Sequence, residues 1–300
     1  MRTLQQIKTD ISNRINSSAE NPINLIEAIE MIKGSVEDVV RFSGSDGKKS
    51  LITSQQLINL LHEVVKKSLV DIGNVNPQLI KPPIGQSKGE IKLFGFLKDK
   101  KQDVCVFPNN KYPVEEAINF DGLFNTGVKE PYGELFSEHI LSINLRSQLS
   151  SLSANIDTMF ERTYAEPLNL HRRLPKMVLG EVYLLSLREL NKKKVAQNEV
   201  EYLPITNSVK KYLERYIKGF SALNMREGQS DDLFKYERVA LVIVDFSKSP
   251  IKIYNNTAEL IEDDLLPENS DASMEDLSFN GFTERLIQVY ERRFGTEILS

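Results

Sequence analysis

Apolar and polar residues follow two rhythms along this chain of 300 residues, and the change from one to the other organises it. Near the start the period is helical. Leu4, Ile7, Ile11 and Ile15 recur every three or four positions, which predicts an amphipathic helix over 3–16. Asn21-Pro22 opens a second helix through Leu25, Ile29 and Ile32, with Gly34 as its expected stop. A loop carrying GSDGKK then leads to a third helix from Thr53 to about Val70, with Leu57, Leu60, Leu61, Val64 and Val65 inward. After the extended passage NPQLIKPPIGQSKG the period becomes two. EIKLFGFL (90–97) and QDVCVF (102–107) flank the turn KDKK and predict an antiparallel hairpin.

A polar loop of about thirty residues follows, a length that more often serves function than mere connection. The block 139–183 then runs strand (139–146), helix (147–165) and into a second strand, Met177 to Leu187. A helix from Ser208 to Leu223, strands Val239–Phe246 and Ile251–Tyr254, a loose acidic stretch EDDLLPENSDASMED and a last helix Phe282–Phe294 complete the order. The centre therefore reads helix, three strands, helix, strand, helix, strand. That order predicts an α/β fold with a mixed central β-sheet flanked by helices on both faces. Three segments are expected: a helical N-terminal extension (1–52), an α/β core (53–256) and an acidic linker with a C-terminal helix (257–300).

Composition narrows the class. A hydrophobic share of 40% is enough for a sizeable core. The opening MRTLQQIKTDISNRI lacks the apolar run of a signal peptide, so a cytoplasmic protein is expected. A single cysteine, Cys105, excludes an internal disulfide and a cysteine-rich zinc site, and its alternation in DVCVF predicts burial. His62, His139 and His171 show no metal-ligand spacing. The net charge of −4 hides an asymmetry. Residues 141–220 carry 13 Lys and Arg against 8 Asp and Glu, whereas 255–300 carry 3 against 11. A basic middle keeps a phosphate-binding face possible, although solvated helix faces give the same pattern.

Candidate chemistry gathers where the strand of the 139–183 block meets its helix. Asn144, Arg146, Ser147, Gln148, Ser150 and Ser151 crowd two turns where a structural connection needs only a cap. Asn144 and Arg146, two apart, project from one face, and Arg146 can grip a phosphate with two donors. Asp103 shares the inward alternation of Cys105 and Phe107, so its carboxylate needs a cation or a donor. On the helix, Glu166 falls about 75° from the centre of the apolar stripe and Glu161 about 145°, so Glu166 can reach the sheet from the flank. Gln148 could hold a water or a phosphate oxygen; Glu90 and Glu63 could extend an acidic site. Arg172, Arg173, Lys176 and the run Lys192–Lys194 could meet a nucleic-acid backbone. Each of these is also an ordinary surface residue in many folds.

An acid on the second strand, a strand ending in polar–x–basic and a helix carrying a further acid resemble the PD-(D/E)xK nuclease superfamily. NLRSQLSS…ERTYAEPLNLH is similar to blocks of its type II restriction endonucleases, and the element order matches that core over about 53–246. The resemblance implies a restriction-endonuclease-like core and Mg2+-dependent, site-specific cleavage of double-stranded DNA. It implies a homodimer, since symmetric cutting needs two sites, and a cognate DNA methyltransferase acting on the same sequence. Asp103 takes the place of the metal-binding aspartate, with Glu166, Glu161 or Glu90 completing the metal site. Asn144 and Arg146 stand where an acid and a lysine are usual, a departure that leaves a second reading open: a non-catalytic DNA-binding or defence-complex subunit on the same scaffold. A scaffold protein without nucleic-acid contact is a third.

Overall fold

The N-terminal third folds as three helices in a computed structural model that describes residues 2–119 and 127–300. Helix α1 (Leu4–Asn16) is set by a capping box between Thr3 and Gln6 and buries Ile7, Ile11 and Ile15. Helix α2 (Leu25–Thr53) starts at Asn24, whose side chain accepts the Glu27 N–H, and continues past Gly34. Its inward face carries on through Ser35, Val39 and Val40, and this packing overrides the helix-weakening glycine. The expected GSDGKK loop is thus helical too, interrupted by one kink. At Gly44 the backbone turns to φ 54°, ψ −135°. A Cβ there would meet Asn198 Oδ1 at 2.6 Å and the Val195 carbonyl at 2.9 Å, so only glycine fits. Helix α3 (Gln56–Asp71) follows as expected.

The strands are β1 (Ile80–Lys81), β2 (Ile91–Phe94), β3 (Asp99–Gln102), β4 (Val104–Val106), β5 (Glu116–Ala117), β6 (Lys129–Glu130), β7 (Leu141–Gln148), β8 (Val178–Ser186), β9 (Arg238–Asp245) and β10 (Lys252–Tyr254). Between them lie α4 (Gly133–Glu138), α5 (Ile156–His171), α6 (Lys192–Ala196) and α7 (Asn207–Ala222), and beyond them α8 (Thr257–Glu262) and α9 (Phe282–Phe294). One mixed sheet of six strands forms the centre, in the order β1-β4-β7-β8-β9-β10. The inner strands β7, β8 and β9 run parallel, and β4 and β10 are antiparallel to their neighbours. Ile143, Leu145, Val182, Leu184, Ala240 and Val242 face a layer built from α1, α2, α3 and α9. Leu179, Tyr183, Leu185, Val239, Leu241 and Ile243 face α5 and α7. With both faces covered, β8 and β9 are apolar runs rather than alternating ones.

Three further expectations are corrected. The polar loop of about thirty residues holds β5, β6 and α4, and its residues 120–126 lie outside those described. The hairpin expected of 90–97 and 102–107 pairs instead β2 with β3, in a small sheet of its own, so Lys100 and Lys101 lie in a strand and not in a turn. The chain bends at Asp103 before β4 joins the central sheet, because Val104–Val106 can reach β7 only from a new direction. The acidic stretch near the C-terminus is not loose. It follows directly on α8 and, with Leu277 just beyond it, buries Leu265, Leu266, Ala272 and Met274 against the α7 face. Apolar anchors between the acids outweigh their mutual repulsion. Residues from 1–52, 53–256 and 257–300 share one apolar core, as Ile7, Val182 and Phe282 show. Among the described residues no helix is long and apolar enough to cross a membrane.

Candidate active site

Strand β7 is the element that aims the site. It extends two residues further than the spacing predicts, to Gln148, and α5 begins only at Ile156, so the 149–155 segment is a loop. Asn144, Arg146 and Gln148 project from the face that α5 covers. In the parallel register Asn144 lies opposite Glu181 and Arg146 opposite Tyr183 on β8. Side chains at paired positions share a face, so Glu181 stands where Asn144 could otherwise have supplied an acid. The chain's bend at Asp103 brings a second carboxylate over the same end of β7. Its Oδ2 accepts the Leu145 N–H at 2.8 Å.

Asp103, Asn144, Arg146 and Gln148 line a pocket of about 520 Å³ with Lys100 and Lys101 from β3 and Arg162 and Glu166 from α5, while Glu181 is buried outside the lining. It lies toward the carboxyl end of the parallel strands, where open α/β sheets usually hold ligands. Its charges are interlocked. Glu166 bridges Lys100 and Arg146, and the Arg146 Nε lies 3.0 Å from Glu181 Oε1. Glu181 is wholly buried, with the Arg146 guanidinium and the Tyr236 hydroxyl beside it. Burial, reinforced by the Asp103 charge, pushes its carboxyl up to about 7 against the pull of Arg146 and Lys100. Asp103 is also raised, by burial, with the Leu145 N–H and the two cations opposing. Burial and the nearby Arg146 push the Lys100 ammonium down to about 8, with Arg162 adding to the repulsion. Four cations, Lys100, Lys101, Arg146 and Arg162, thus line a concave site with two carboxylates, Asp103 and Glu166, an arrangement suited to an anion.

The remaining sequence candidates fall elsewhere or take other tasks. Gln148 donates its amide to the Ser151 and Ala154 carbonyls, which ties down the 149–155 loop rather than leaving the group for water or phosphate. Glu161 is exposed and does not line the pocket. Glu90 does not line it and pairs at 3.2 Å with Lys101, which does. Glu63 is buried in an ion pair with Lys66, 2.7 Å away, and accepts from Ser18 and the Gly85 N–H. Arg173 is only 4% exposed, gripping Glu130 and the Phe94 carbonyl, so it is closed to a nucleic-acid backbone. Arg172 lies over the Phe96 ring at 5.3 Å. The Lys176 N–H donates to Glu138, just before β7 begins, at the far end of the sheet from the pocket. Cys105 is buried, its thiol pushed up to about 12 by burial.

Lys100, Arg162 and Glu181 were absent from the sequence candidates. Glu181 had a readable signal: one acid in the middle of MVLGEVYLLSL, an otherwise apolar strand. Lys100 had none, because its place depends on the β2–β3 register. Among the described residues no three His, Cys, Asp or Glu side chains come close enough to share a metal. Mg2+ does not require three, since it binds through one or two carboxylates with water and substrate phosphate. Of the carboxylates here, Asp103 lines the pocket with no ion pair among the described residues, Glu166 lines it paired to Lys100 and Arg146, and Glu181 is buried beside Arg146. No family model, no curated protein and no solved structure matches this chain.

Proposed function

We propose that this pocket is the active site of a Mg2+-dependent endonuclease acting on double-stranded DNA, of the type II restriction kind with a restriction-endonuclease-like core. The observation that carries the reading is the convergence of Lys100, Arg146 and Arg162 around Asp103 at the end of β7. The succession of antiparallel β4, then β7, the crossover helix α5 and parallel β8 supports the same core.

In this reading Arg146 and Arg162 hold the non-bridging oxygens of the scissile phosphate and stabilise the charge that builds on them. Arginine stays protonated near neutral pH, so proton transfer falls to Lys100, whose pKa of about 8 leaves a useful neutral fraction. Asp103 would hold the metal, with Glu181 as the second carboxylate once Arg146 turns from it to the phosphate; the metal when bound lowers the pKa of a water and offsets phosphate charge. Glu166 holds Lys100 and Arg146 in place until substrate competes for them. Asn144, 4% exposed beside Glu181, offers amide hydrogen bonds in place of a second charge. Two copies of the chain would supply the two cuts of a duplex, and a methyltransferase of the same specificity would protect host DNA.

Incubation with supercoiled plasmid tests this. Nicked or linear product that requires Mg2+ and disappears in Asp103→Ala is expected; equal cutting by Asp103→Ala contradicts the site. One observation favours a second reading. Arg146 is already engaged by both Glu166 and Glu181, as in a stabilised remnant of a site. A non-catalytic DNA-binding or defence-complex subunit would bind duplex with or without Mg2+ and cut none.

A further inference from the structure

Beside the pocket lies a second concavity, of about 360 Å³, that has no part in the site just described. Lys48, Lys49 and Lys192 line it over an apolar floor of Leu190 and Val195, and Ile52 belongs to both hollows. Ser150 continues the wall from Leu149 of the first pocket. The geometry follows from Gly44. Its kink turns the second half of α2 down onto α6, where the Gly44 Cα passes close to the Val195 carbonyl. Lys48 and Lys49 are thereby set facing the start of α6, where Lys192 lies.

The charges are unbalanced. Among the described residues none of these three lysines has an ion pair, whereas the neighbouring Lys194 is paired with Glu199. Lys48 is half-buried and repelled by Lys192, with Glu189 as the acid that partly offsets both effects. Holding two ammonium groups close over an apolar floor costs free energy that a bound anion would recover. The hollow also adjoins the first pocket at Ile52, and that pocket gathers cations of its own.

We infer that this groove is a second backbone subsite, in which a nucleic-acid strand leaving the pocket crosses Ile52 and seats its phosphates on Lys48, Lys49 and Lys192. The inference rests on the phosphodiester reading of the first pocket and narrows its substrate class. The substrate is a strand of several nucleotides rather than a mononucleotide or small phosphomonoester. Lysine–phosphate pairing of this kind carries no base information and acts through charge, so it is read in salt dependence.

The test is fluorescence anisotropy of a labelled 20-base-pair duplex, without metal, across a salt series. It compares the parent chain, the triple variant Lys48→Gln/Lys49→Gln/Lys192→Gln, and Lys176→Gln at the opposite end of the sheet. Thermal melting of each protein confirms that the surface changes leave the fold intact. The triple variant is expected to bind about tenfold or more weakly. Its slope of log affinity against log salt should be shallower by ~0.9 for each phosphate that a lysine no longer neutralises. Lys176→Gln is expected to follow the parent. Parent-like affinity and slope in the triple variant overturn the subsite and leave the nuclease reading standing, as does an equally large drop in Lys176→Gln. A parent chain that binds no duplex even at low salt overturns the nuclease reading and the subsite with it.

Discussion

Glu181 holds the residue-scale account together, because it is an acid that folding moves the wrong way for its charge. Its carboxyl titrates near 7 in the folded chain, against a usual value of 4.5. Between those values the folded state holds a proton that the unfolded state has lost. Its contribution to stability is therefore complete below about 4.5 and declines as pH rises toward 7. Urea denaturation at pH 5 and pH 8 should show a fall in the parent that is reduced in Glu181→Gln. Identical pH dependence in the two proteins would rule out this role. Lys100 gives a second residue-scale expectation. If its neutral amine accepts a proton, cleavage rates rise through about pH 8 and level off above it. Rates of Lys100→Ala should lie at least tenfold lower without that rise; a rise that persists assigns the titration to another group. Arg146 and Glu166 were legible in the sequence because strand alternation and helical phase turned each charge inward, whereas Asp103 reaches the site through the bend between β3 and β4. Lys100 was not legible, since no local pattern says which strand a lysine-rich segment will pair with.

At the scale of elements, glycine and register account for most of what the sequence left unread. The apolar spacing of α1, α3, α7, β8, β9 and α9 sufficed to place them, since each buries a long regular stripe. Gly34 looked like a stop but lies where an added Cβ would meet nothing within 4 Å, whereas Gly44 is the position with a structural demand. A Gly44→Ala chain must place a side chain at φ 54° and against the Val195 carbonyl. Denaturant unfolding should show a loss of about 1–3 kcal/mol, as for other overpacked or strained positions. An unchanged midpoint would mean that the kink does not fix α2 against α6. The break between β3 and β4 escaped the sequence for a related reason. Alternation continues smoothly through QDVCVF, and only the competition between two partner strands reveals the bend at Asp103.

Across the whole molecule, charge separates into two ends with different tasks. At the pocket end, cations and acids are displaced from their usual pKa values and carry the proposed chemistry. At the other end, Glu237 is a buried structural hub. It accepts from Arg226 at 2.8 Å, Arg293 at 2.6 Å and the Leu179 N–H at 2.7 Å, and so ties β8, β9 and α9 together. Despite burial, the nearby His171 and the two arginines hold its carboxyl down to about 2. This acid is shifted the opposite way from Glu181, so its contribution is present above about 4.5 and is lost as pH falls toward 2. Glu237→Gln should cost about 3–5 kcal/mol, the usual penalty for stranding a buried partner. It should also move acid unfolding monitored by circular dichroism to higher pH. Unchanged acid unfolding would show that the hub is dispensable. The central claim concerns the other end: that Asp103 and Glu181 act in hydrolysis rather than in holding DNA. The measurement that separates these is duplex binding and Mg2+-dependent plasmid cleavage, taken side by side for the parent, Asp103→Ala and Glu181→Gln. The account predicts that both variants bind within about threefold of the parent while cleavage falls at least a hundredfold, the scale of removing one principal catalytic group. Cleavage at the parent's rate in both variants would contradict it.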